Sequence, residues 1–240
     1  MALLHFFLLP LKDFWRGYER VLGGGPKALL GVALGLIVGW WVYIPVHELM
    51  HAFGCMLAGG EVTRLEIDEL YGGTLLAKWI PWVYAGSDYA GQLTGFDTHG
   101  SDLIYFATDF GPFVFTLFPA VWLLRRFGRT GFALGFALVL PFAFAPFLSI
   151  TGDAYEIGSI VVTQFEPWSA DGVRELLRGD DLFLKAEELG ETPSAPWDGY
   201  RIACAIGVLW AFATYALGAA IAGLLSPKAH DPAAANAAGS

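Results

Sequence analysis

In "YIPVHELMHAFGCML", Tyr43 to Leu57, two histidines stand four positions apart, His47 and His51, with Glu48 beside the first. On an α-helix that spacing puts both imidazoles on one face, about 40° apart in azimuth and one turn apart in height. Such a pair can chelate a single divalent ion. The glutamate of a His-Glu-x-x-His segment can reach a water on that ion as general base. Zinc lowers the pKa of such a water to about 7, which makes hydroxide available at neutral pH. Imidazole and carboxylate donors in an open tetrahedral site favour Zn2+ among the divalent metals. Two histidines merely hydrogen-bonded within an apolar bundle leave the glutamate unexplained, because an ionisable group in hydrocarbon is costly.

The elements that must hold these residues follow from composition. Of 240 residues, 55% are hydrophobic and only 15% charged, and the apolar residues come in runs instead of periodic stripes. A helix crosses a bilayer with roughly 20 mostly apolar residues. Four stretches qualify, at about 28–58, 102–124, 131–163 and 201–225. The first and third exceed one crossing, so tilt or kinks are expected, with Pro45, Pro141 and Pro146 as the kink positions. The expected fold is an all-α integral membrane protein with about four transmembrane helices. Residues 1–26 form an N-terminal interfacial segment, 27–226 a polytopic membrane domain, and 227–240 a small, polar, disordered tail.

Orientation follows from lysine and arginine. Residues 1–27 carry a balance of +2, and the link holding Arg125, Arg126 and Arg129 adds +3. Residues 59–101 carry −4 and residues 165–200 carry −6. Both termini are therefore expected on the cytoplasmic side of a plasma (inner) membrane. The acidic outer segments exclude nucleic acid as a partner and disfavour anionic headgroups on that side.

A catalytic zinc keeps three protein ligands and one open position. The acids within the apolar runs are Asp102, Asp109, Asp153 and Glu156. His47 lies about 30 Å beyond Lys27 along a helix, and Asp153 about 33 Å beyond Gly131, so on parallel spans they reach one depth. Asp109 comes to about 24 Å on the antiparallel span, which suits a residue of the surrounding cavity. Glu156, one turn beyond Asp153, is the alternative ligand. His99 sits in an outer loop, while His5 and His230 lie in the terminal segments.

The outer segments differ in character. "GGEVTRLEIDELYGGTLLAKWIPW" has two strand-like runs, Val62 to Asp68 and Thr74 to Trp79, around a turn at Tyr71-Gly72-Gly73, and predicts a small membrane-associated β-hairpin. "SADGVRELLRGDDLFLKAEELGETPSAPW" predicts two short amphipathic helices divided at Gly179. Cys55 and Cys204 fall inside spans and imply no disulfide.

On "HELMH" in the first span, "FGPFVF" in the second and "FLSITGDAYEIGS" in the third, the chain resembles the site-2 proteases, a family of intramembrane zinc metalloproteases. The resemblance covers about residues 28 to 163. It implies His47, His51 and Asp153 as zinc ligands and Glu48 as the base. It also implies a hairpin that offers an edge to an unwound substrate. The chain departs from the family pattern at Phe115, where the second motif has Asn, and at Ala154, where the third has Gly.

The expected activity is hydrolysis of a peptide bond in or near a membrane-spanning protein substrate, within the lipid bilayer. A helical substrate hides its carbonyls, so an unwound segment must be held and water admitted. Asp109, Thr116 and Thr151 are expected to line the wet groove. Two other readings use the same ligands: a non-proteolytic metal-binding protein or regulatory pseudoenzyme, and a zinc hydrolase of a lipid or small amide.

Overall fold

The computed structural model describes residues 2–179 and 181–226, so the expected tail at 227–240 lies outside it. Helix α1 (Ala2–Leu22) runs unbroken past Pro10. It packs on later helices through Phe14, Tyr18 and Val21. Gly25, at φ 70°, turns the chain, and Pro26 presets the first turn of α2 (Pro26–Leu57). This helix carries His47, Glu48 and His51. It is one helix through Pro45, where a kink is expected from sequence.

The outer segment that follows corrects the hairpin expectation. Strand β1 (Glu61–Ile67) forms as expected, but Thr74–Trp79 is not its partner. Gly72, at φ 87°, ends a 3₁₀ turn at Glu69–Tyr71, and the short helix α3 (Gly73–Leu76) begins there. Leu76 and Ile80, four positions apart, pack on Leu65, Ile67 and Val83, which is helical and not strand spacing. The partners of β1 come later: β2 (Val83–Ala85), parallel, and β3 (Gly91–Asp97), antiparallel with a bulge near Arg64. The order is β2-β1-β3, so β3 is an edge strand.

The next run, Asp102–Thr130, contains α4 (Asp102–Phe110), a 3₁₀ turn at Gly111–Phe113, a π turn at Thr116–Ala120 and α5 (Val121–Thr130). Residues 131–163 are not one span. They divide into α6 (Ala133–Ala143), α7 (Ala145–Leu148) and α8 (Asp153–Val162). The prolines expected to kink this run, Pro141 and Pro146, flank the first break, and Gly152 precedes α8. Helices α9 (Asp171–Leu177) and α10 (Leu182–Glu191) fall on either side of Gly179 as expected, and α11 (Trp197–Leu225) ends the described chain.

Three helical runs are long and apolar enough to cross a membrane: α2, Asp102–Thr130 and α11. They carry large apolar side chains on their outsides, among them Ile37 at 67% exposed and Leu224 at 86%. The larger apolar core joins α1, α5, α6 and α11 around Leu124, Phe136 and Tyr215. A second cluster, built on Tyr43, Ile44, Phe113 and Ile157, fixes α2 and α8 beside the histidines.

Candidate metal centre

His47 and His51 project from one face of α2, as their spacing requires, and both are buried. Asp153 meets them from the first turn of α8. The two Nε2 atoms are 3.3 Å apart. Asp153 Oδ2 lies 3.2 Å from His47 Nε2, and Oδ1 lies 3.4 Å from His51 Nε2. A tetrahedron with bonds of about 2.0–2.1 Å has edges of about 3.3–3.4 Å, so the imidazole–imidazole edge has the length of a zinc site's, and with one oxygen of Asp153 the three donor atoms lie within 4.8 Å of one another.

The hydrogen bonds behind the imidazoles agree with that use. Thr108 O lies 2.9 Å from His51 Nδ1, and a carbonyl only accepts, so Nδ1 carries the proton and Nε2 faces the cluster with its lone pair. Tyr43, four residues before His47, places its hydroxyl 3.0 Å from His47 Nδ1. Asp153 Oδ2 is buried without a hydrogen bond. The His51 lone pair, His47 Nε2 and the Asp153 carboxylate thus face one another within 3.2–3.4 Å, an arrangement that a bound cation would satisfy with His47 in the same tautomer.

Close backbone contact makes this possible. A Cβ on Gly54 would lie 2.1 Å from Ala107 O, and one on Gly111 2.1 Å from Met50 O. A bare glycine on α2 and another just past the end of α4 therefore let α4 lie directly against α2, which brings Thr108 O to His51.

His47, His51 and Asp153 open into a cavity of about 410 Å³ that Glu48 also lines. Strand β3 forms one wall, with Gly91 against Glu48: a Cβ there would sit 2.4 Å from Glu48 Cγ. Asp109 and Glu156 line the cavity but stand outside the ligand cluster. Glu156, the alternative ligand, accepts instead from the Tyr105 hydroxyl at 2.8 Å. Asp109, buried as expected of a cavity residue, has Oδ2 without a hydrogen bond.

Thr116 and Thr151, expected in the groove, do not line it. Thr116 donates to Phe142 O at 2.7 Å, across a helix contact, and the Thr151 carbonyl accepts from Leu182 N at 2.6 Å. His99 is exposed beside Asp97 and outside the cluster. Sequence reasoning missed Tyr43, Tyr105 and β3. Only Tyr43 leaves a plain signal, since 43, 47 and 51 share one helix face.

The segment bearing α9 and α10 covers the cavity, with Gly179, Asp181 and Leu184 in its wall. Arg174 and Arg178 tie it down by ion pairs of 2.5 and 2.6 Å to Asp102. Arg178 also donates to Thr163 Oγ1 at 2.7 Å. Comparison with protein-family models, curated proteins and solved structures finds no match for this chain.

Proposed function

We propose that this chain is a multi-pass membrane zinc endopeptidase of the site-2 protease type, cutting a peptide bond in or beside a membrane-spanning substrate. The observation that carries the reading is the His47, His51 and Asp153 triangle, with Glu48 in the same cavity and an edge strand as its wall. The apolar side chains on the outside of three long helices support the membrane setting. In water each large exposed aliphatic side chain forgoes about 1.5–3 kcal/mol of burial. The basic residues Arg125, Arg126 and Arg129 lie on α5, at the end of the bundle near the start of α2, and they orient that end, with both termini, toward the cytoplasm.

Zinc bound by these three side chains would supply Lewis-acid polarisation of the scissile carbonyl and a water acidic enough to attack it. The remaining steps belong to the chain. Glu48 takes the proton of the attacking water and returns it to the leaving nitrogen. Strand β3 offers unpaired backbone groups to an unwound substrate segment, so that its carbonyl is presented instead of hidden in a helix. Thr108 O and Tyr43 hold the two imidazoles in place.

Glu48→Gln tests this. In liposomes bearing a tagged single-pass helical reporter, the variant is expected to keep its zinc and to cleave at least about a hundredfold more slowly. Cleavage at the wild-type rate would overturn the reading.

A second reading, a metal-binding protein without proteolysis, is favoured by one observation. Phe115, where the resembled motif has Asn, packs on Phe142 and brings no polar group to the cavity. That reading expects Glu48→Gln to leave the cellular phenotype intact.

A further inference from the structure

We propose that the groove between α1 and α5 binds the phosphate-bearing headgroup of an anionic phospholipid. The site rests on the membrane-embedded reading above and is independent of the proteolytic one. The groove encloses about 840 Å³, and Arg16, Arg20, Arg125 and Arg129 line it. It lies at the end of the bundle away from the metal centre: Gly131 abuts Arg20 O, and the neighbouring Ala133 abuts Gly31, sixteen residues before His47 on α2.

Charge in the groove is unbalanced. Arg125 is neutralised by Asp13, which it meets through Nε at 2.8 Å and Nη2 at 2.6 Å. Among the described residues, Arg20 donates to the backbone oxygen of Arg129 at 3.1 Å, and Arg129 to Ser226 Oγ at 3.3 Å. Among the described residues no carboxylate lies within ion-pair distance of Arg16, Arg20 or Arg129. Glu19 is the one other acid in the wall. Three guanidiniums therefore share a cleft with a single uncommitted carboxylate, and like charges held together repel until an anion joins them.

The shape selects the anion. Guanidinium forks match phosphate oxygens two at a time. The two helices touch where both are bare: a Cβ on Gly128 would lie 2.8 Å from Gly17 Cα, so the floor is backbone and arginines approach from both walls. On the side of α1 turned away from the groove, Leu4, Leu11 and Trp15 point outward, each more than half exposed. Those positions share one helix face and offer an apolar surface to the bilayer at the level of the cationic cleft. A basic pocket between membrane helices on the cytoplasmic side suits an anionic headgroup.

Native mass spectrometry of the full-length protein in detergent tests this, with phosphatidylglycerol and phosphatidylcholine offered in equal amounts. The wild type is expected to retain phosphatidylglycerol in preference. Arg16→Ala with Arg129→Ala, both exposed positions, should weaken that retention about thirtyfold. Arg126→Ala with Lys27→Ala removes an equal charge from the same end of the bundle, but Arg126 stacks over Trp122 at 5.5 Å and neither residue lines the groove, so this pair should change nothing. Equal losses in the two variants would overturn the site in favour of diffuse attraction. Displacement of phosphatidylglycerol by inorganic phosphate at matched concentration would overturn the lipid assignment in favour of a free anion. Lipid retained without headgroup preference overturns this site alone. A chain that stays monodisperse once detergent is removed overturns the membrane reading as well.

Discussion

Asp13 and Asp153 are both mostly buried carboxylates in one helical bundle, with side chains 10% and 16% exposed. Their neighbours make them opposites. Asp13 Oδ2 accepts from Arg125 twice and from the Tyr215 hydroxyl at 3.2 Å, so its charge is met by a cation that the chain itself supplies. Asp153 faces two imidazole nitrogens, and one of its oxygens has no hydrogen bond. A buried carboxylate that brings its own arginine ties helices together. One that faces only imidazoles, whose charge depends on a proton, leaves room for a cation from outside, as the proposed reading requires.

Asp153→Ala makes the sharpest break in this contrast. Elemental analysis of detergent-purified protein is expected to fall from one zinc per chain to none, with helix content unchanged by circular dichroism. Zinc retained at full occupancy would show that the ligand set is wrong. Next in size is Asp13→Ala, which strands Arg125 between helices and should cost about 3 kcal/mol in stability while leaving zinc content untouched. A thermal melt and a metal assay on the same sample separate the two effects. If zinc also disappears, the two carboxylates are not independent.

Tyr43→Phe removes the hydroxyl behind His47 and should weaken zinc about tenfold in a competitive chelator titration, without loss of fold. The smallest effect is expected from Asp102→Ala. Asp102 is a second arginine-paired carboxylate, and it holds the cover over the cavity. Its loss should loosen residues 171–191 by about 1 kcal/mol, read as faster amide hydrogen exchange there with the rest of the chain unchanged.

The meeting of His47, His51 and Asp153 was legible because the three obey simple rules. His47 and His51 follow from helix periodicity, and Asp153 follows from equal depth on two runs, even though the second run proved to be broken. The break still leaves Asp153 beside the histidines, with α6 packed along α2 through Gly31, Gly35 and Gly39 before it. Strand β3 was not legible: "GQLTGFD" has few β-branched residues, and its pairing with β1 reaches across more than 20 intervening residues. Thr74–Trp79 misled because four apolar or small residues in a row fit a strand or a helix equally, and the packing of Leu76 and Ile80 on the sheet decides between them. The bond from Thr108 to His51 could not be read at all, since every residue type carries a backbone carbonyl.

The interruption between Leu148 and Asp153 also bears on how such a centre is wetted. Irregular backbone within a bilayer persists only where protein or water satisfies its polar groups. Gly152 and Asp153 both line the cavity, and nothing approaches within 4 Å of a Cβ placed on Gly152. The gap in the helix thus opens onto the cavity at the foot of the His47, His51 and Asp153 triangle. On the proposed hydrolytic reading, which consumes one water per turnover, that opening would admit the water from the cavity side, without partition through hydrocarbon.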